Sequence, residues 1–137
     1  WRELHLRGIA SAYAAAPYFE YYIDLISGVV LKTHTFLLDL NNDALEAVCR
    51  AAGINVPLGC TDTFEPEGTR VNDYRYKITP KKPAMIPGYI YLPYTQVFND
   101  NQGFVPGLSI IDMLLNNGPG TKALLLRSLE ADNNFQP

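Results

Sequence analysis

Cysteine, histidine, methionine and tryptophan are all scarce in this sequence, which holds two, two, two and one of them among 137 residues. Cys49 and Cys60 are too few for a disulfide framework, and neither has a second cysteine or a histidine at the short spacings of zinc sites. Free, semi-buried thiols and the absence of any metal or cofactor are therefore expected. Long apolar runs are also missing. Stretches such as Leu124–Leu126 fall far short of the ~20 residues a bilayer demands, so no membrane span is expected. A basic excess is lacking too: the net charge is −3 and the sequence pI about 5.2, which argues against a nucleic-acid partner. No cationic segment followed by an apolar one marks a secretory signal, and a cytoplasmic location is expected. There is no glycine spacing of a P-loop or dinucleotide turn, no G-x-S-x-G elbow, no internal repeat and no low-complexity tract.

What is present suits one folded domain over residues 1–137. Hydrophobic residues make up 47% and charged residues 18%, a balance that excludes an intrinsically disordered chain. A chain of this length buries about 68% of its unfolded surface, enough for one core. The pattern is mainly α (an α+β class), with several packed helices, a short strand and one long extended loop.

Residues Arg2–Ala15 hold no proline and many good helix formers, with Leu4, Gly8, Ala12 and Ala15 along one face and Ile9 beside it. Pro17 suits the first turn of a second helix, in which Tyr18, Tyr21, Tyr22 and Leu25 form an amphipathic stripe and Ser27-Gly28 the end. A third helix is predicted over Thr33–Ala52, with Leu38, Leu45, Val48 and Ala52 inward and Gly53 as its stop. Ile54–Leu58 reads as a short strand. Thr61–Pro93 then carries five of the ten prolines, and a connection that long is unusual unless it is a functional loop. Ser109 and Asp112 form an S-x-x-D capping box before Ile110, Ile111, Leu114 and Leu115. Asn117-Gly118 closes that helix, and Pro119 opens a last one bearing Leu124, Leu125 and Leu129.

Few residues carry obvious chemistry. His5 shares a helix with Arg7, Ser11 and Tyr13, and an imidazole serves as a base or anion donor near neutral pH. A lone histidine is nevertheless more often structural, and His34, among threonines between two helices, is read so. The aromatic run Tyr18-Phe19-Glu20-Tyr21-Tyr22 offers pocket walls with polar tips, although Phe19 reads as core. Glu20 is accounted for by the helix macrodipole. In the loop, Asp62, Glu65 and Glu67 precede Arg70, Arg75, Lys77, Lys81 and Lys82. Arg75 is the best anion ligand of that run, since a guanidinium contacts phosphate or carboxylate bidentately.

The segments His5-Leu6-Arg7-Gly8-Ile9, Ser11-Ala12-Tyr13 and Ala16-Pro17-Tyr18-Phe19-Glu20-Tyr21-Tyr22 resemble the WbqC-like family. Further segments agree in the same order: Asp39-Leu40-Asn41, Asp73-Tyr74-Arg75, Ile78 to Pro83, Tyr94-x-Gln96-Val97-Phe98, and Gly103-Phe104-Val105-Pro106 through Asp112 to Pro119. The resemblance implies a link to O-antigen and surface-polysaccharide assembly and a transferase role, with glycine or aminoacyl transfer to a sugar suggested. It also implies that this sequence, which opens at Trp1 without Met, is the C-terminal portion of a longer protein, the N-terminal part being a partner. Leu6 stands where the family more usually has Trp. By the resemblance, His5 would be the catalytic base, Tyr13 and Tyr18 pocket walls, Arg75 and Lys81 anion ligands, and Gln96 a reader of a sugar hydroxyl or amide. The expected partner is a small-molecule or nucleotide-sugar substrate. The alternatives are a non-catalytic glycan- or nucleotide-sugar-binding module and a helical interaction platform, including a homodimer.

Overall fold

The computed structural model describes residues 1–69, 73–79 and 86–130. Among them the regular structure is helical: α1 (Arg2–Tyr13), α2 (Phe19–Leu31), α3 (Leu37–Ala51), α4 (Asn99–Gln102), α5 (Ile110–Asn117) and α6 (Thr121–Glu130), with a 3-10 turn at Gly118–Gly120. The mainly-α expectation holds. Ile54–Leu58 is irregular rather than a strand, and the described parts of 61–93 contain no helix. No helix of the described residues is long and apolar enough to cross a membrane.

The core gathers Ala16, Phe19, Tyr22, Ala52, Leu114 and Leu115, bordered by Ile9, Ala10, Tyr13, Ile23 and Val48. Three helix faces differ from the pattern expected of them. On α1 the packed residues are Ile9, Ala10 and Tyr13, while Leu4 is exposed. On α2 Tyr22 is buried, but Tyr21 is 81% exposed. On α3 Leu38 and Leu45 point outward, at 57% and 48% exposure. Val48 and Ala52 face inward as expected, and Ala44, Ala47 and Val48 line an apolar cleft together with Leu25, Ile26, Val29 and Val30 of α2.

Helix ends follow local chemistry. α2 does not stop at Ser27-Gly28; Ser27 Oγ donates to the Ile23 carbonyl at 2.7 Å, which satisfies the hydroxyl inside the helix and lets it continue to Leu31. α3 begins at Leu37, not Thr33, because Lys32 and Phe36 have extended ψ values of 138° and 149°. Gly53, at φ 68°, supplies the expected stop. Gly118 ends α5 at φ 53°, and the Tyr18 ring lies so close that a Cβ there would meet it at 2.5 Å. Tyr18 N also donates to the Leu115 carbonyl at 3.0 Å, so the start of α2 is fastened to the end of α5. Pro119 sits in the 3-10 turn, and α6 starts only at Thr121.

Candidate functional site

The first turn of α5 places a carboxylate inside the protein. Asp112 is 2% exposed, a position the positive end of the helix favours. Ser109 acts as N-cap through its Oγ, which accepts from Ile111 N at 3.3 Å. Asp112 does not complete the capping box. Its side chain is captured from the other direction, by the extended segment before α4. Tyr94 Oη donates to Asp112 Oδ2 at 2.5 Å and Gln96 Nε2 to the same oxygen at 3.2 Å. Asn116, one turn along α5, donates to Oδ1 at 3.3 Å. Spacing alone made Asp112 a cap; the competing donors are 16 and 18 residues away in the chain.

Tyr13, at the C-terminal end of α1, faces the same carboxylate. Burial first, then the Asp112 charge and hydrogen bonding, push its phenol up to about 12. Tyr94 is raised as well, by burial and then by its bond to Asp112. Both hydroxyls therefore stay protonated and able to donate at neutral pH. A recess of about 230 Å³ opens beside this cluster, lined by Tyr13, Gln96, Phe98, Val105, Leu108 and Asp112 among others. That lies below the roughly 300–1,000 Å³ of ordinary ligand pockets, a size for one small molecule.

The expected site residues separate into groups. Tyr13 and Gln96 meet at this recess. Gln96 is 6% exposed, and its amide is heavily engaged: Nε2 donates to the Val105 carbonyl at 3.0 Å as well as to Asp112, while Oε1 accepts from Val105 N at 2.8 Å. It clamps the 94–105 segment onto α5. His5 lies eight residues before Tyr13 on α1, about 12 Å along the axis. It is exposed, stacked edge-on against Trp1 with ring centroids 5.3 Å apart, and its Nδ1 donates to the Trp1 carbonyl at 3.0 Å. Tyr18 packs on Gly118. Neither His5 nor Tyr18 lines the recess.

Arg75 is exposed, and its fork is occupied. Nε and Nη2 bind the two Asp73 oxygens at 2.8 and 2.6 Å, and Nη1 donates to the Glu65 carbonyl at 3.1 Å. Phe64 and Tyr76 flank the guanidinium at 5.8 and 5.9 Å. The Arg75 pairing holds the Asp73 carboxyl well below the usual carboxylate range. Lys81 lies outside the described residues.

His34, expected to be structural, is 6% exposed at its side chain, and Nε2 donates to Asp43 Oδ2 at 2.8 Å. Lys32 donates to the same oxygen at 2.5 Å. The three residues pin the α2–α3 linker to α3, and Asp43 is held below its ordinary pKa by Lys32 first and His34 second. Cys49 is half-buried and Cys60 exposed, both as free thiols.

Asp112, read from spacing as a cap, thus lines the recess, and Tyr94, which had no assigned role, is its hydrogen-bond partner behind it. A carboxylate within the apolar run Ile110–Leu115 was the available signal. No curated protein and no solved structure matches this chain. The family model described as the WbqC-like protein family matches residues 1–84, more than half of the sequence, including Tyr13 but not the 94–112 side of the recess. The chain belongs to the WbqC-like protein family.

Proposed function

We propose that this chain serves a transferase of surface-polysaccharide assembly and that the recess between Tyr13 and Asp112 seats the acceptor sugar. The observation that carries this reading is an almost fully buried carboxylate that lines a small recess together with the protonated Tyr13 hydroxyl and is held by the Tyr94 hydroxyl. Sugars are held by such combinations: hydroxyls exchange hydrogen bonds with polar tips while the ring faces lie on aromatic surfaces. Phe98 supplies an aromatic wall. The group suited to accept a proton from the acceptor as its new bond forms is the Asp112 carboxylate, since His5 stands elsewhere on α1.

The test is incubation of the chain with aminoacyl and nucleotide-sugar donors and a panel of monosaccharide acceptors, with products read by mass spectrometry and acceptor binding read by NMR. The reading expects acceptor sugars to perturb Tyr13 and Phe98 and expects Tyr13→Phe to weaken binding at least about tenfold, the worth of one good hydrogen bond. Sugars that leave both residues unperturbed would overturn it.

A further inference from the structure

The charge balance around Asp112 carries one step more, and this step rests on the recess being a ligand site. The carboxylate is 2% exposed, and among the described residues the groups that donate to it are neutral: the Tyr94 phenol and the amides of Gln96 and Asn116, with the Tyr13 phenol close enough to be shifted by it. The salt bridges among the described residues are elsewhere, at Lys32–Asp43, His34–Asp43 and Arg75–Asp73. A buried carboxylate without a cation is a costly arrangement, only partly relieved by hydrogen bonds and the helix dipole. Oδ2 already accepts twice, whereas Oδ1 accepts one long bond from Asn116, and Asp112 and Tyr13 line the same recess. A carboxylate offers about four acceptor positions, so Oδ1 retains capacity.

We propose that the recess recognises a ligand through a primary ammonium group, seated between Asp112 Oδ1 and the Tyr13 hydroxyl. The ammonium supplies a positive charge, donates to both oxygens, and lies against the aromatic faces of Tyr13 and Phe98, which attract cations. An amino sugar and an amino-acid derivative share this chemistry. The low dielectric that makes a carboxylate with neutral partners costly also strengthens its attraction for an entering cation.

Titration of the 137-residue chain with glucosamine, glucose, glycinamide and methylammonium, followed by NMR at Tyr13 and Phe98, tests this. At least two of the three amines should bind with Kd near the millimolar range, each at least about tenfold more tightly than glucose. Asp112→Asn, which keeps the shape and removes the charge, should abolish that preference. Should Asp112→Asn fail to fold, Tyr13→Phe serves as the second variant and should reduce amine binding severalfold. Equal binding of glucose and glucosamine at the recess would overturn the ammonium proposal and leave the sugar reading standing. Binding of methylammonium and glycinamide without either sugar would support the ammonium proposal and remove the sugar reading. Absence of binding by all four would overturn both.

Discussion

At the scale of single residues, two contacts decide more than their side chains suggest. Gly118 is required twice over: its φ is 53°, and the Tyr18 ring occupies the space a Cβ would need, at 2.5 Å. Substitution by alanine must strain the backbone and move a ring that is itself held by the Tyr18 N–H bond to Leu115. Gly118→Ala is expected to destabilise by about 1–3 kcal/mol, the range of overpacked sites. A urea unfolding curve would show it, and an unchanged midpoint would mean that the α2–α5 junction is looser than the geometry shows. Gln96 is the other such contact, since its amide satisfies both polar groups of Val105 while also donating to Asp112. The aromatic run around Tyr18 made it a pocket wall in sequence terms. Its actual neighbour, Gly118, is 100 positions later, and no local pattern could have announced that contact.

At the scale of elements, helix boundaries show which rules are local. Gly53 and Gly118 end α3 and α5 as expected because a positive φ is a property of one residue. Ser27-Gly28 failed as a stop because α2 gains more by continuing its Leu25, Ile26, Val29 and Val30 face along α3 than it loses to glycine entropy. The late start of α3 has a tertiary cause: Asp43, two turns into the helix, holds Lys32 and His34 in the extended linker. Asp43→Ala removes the acceptor from a His34 side chain that is 6% exposed, and leaving a buried polar group unpaired costs about 1–3 kcal/mol. The expected result is faster amide hydrogen exchange in the first turns of α3 with little change in α5 and α6. Uniform loss of protection across all helices would instead mean that the clasp supports the whole fold.

At the scale of the whole molecule, two half-buried tyrosines link stability to alkaline pH. The Tyr13 phenol rises from an ordinary value near 10 to about 12 in the folded chain, by burial and then by the Asp112 charge. The folded state therefore binds more protons than the unfolded state between those values. This contribution is fully present below pH 10 and is lost as pH rises toward 12. Tyr94 shifts in the same direction and steepens the loss. Melting temperatures recorded from neutral to strongly alkaline pH should fall steeply above about pH 10, and Tyr13→Phe should flatten that limb. An equally steep limb in Tyr13→Phe would place the alkaline sensitivity elsewhere.

Composition, helix-forming stretches and glycine stops determined by themselves that this chain is mainly helical, because those preferences act within one or two turns. The core positions Phe19, Leu114 and Leu115 were legible for the same reason: an apolar stripe on a helix must be buried somewhere. Which face of α1 and α3 turns inward, and what becomes of each polar side chain, only the tertiary structure decided. On α3, Ala47 is covered while Leu38 and Leu45 stay exposed, because which side chains are covered is a property of the packed helices together. Asp112 became the centre of a buried cluster, and Arg75 the partner of Asp73, because a hydrogen bond belongs to whichever donor and acceptor the folded chain brings together. The scarcity of cysteine and histidine limited the chemistry at the outset. The fold moved attention from the remaining histidines to a carboxylate between two tyrosines.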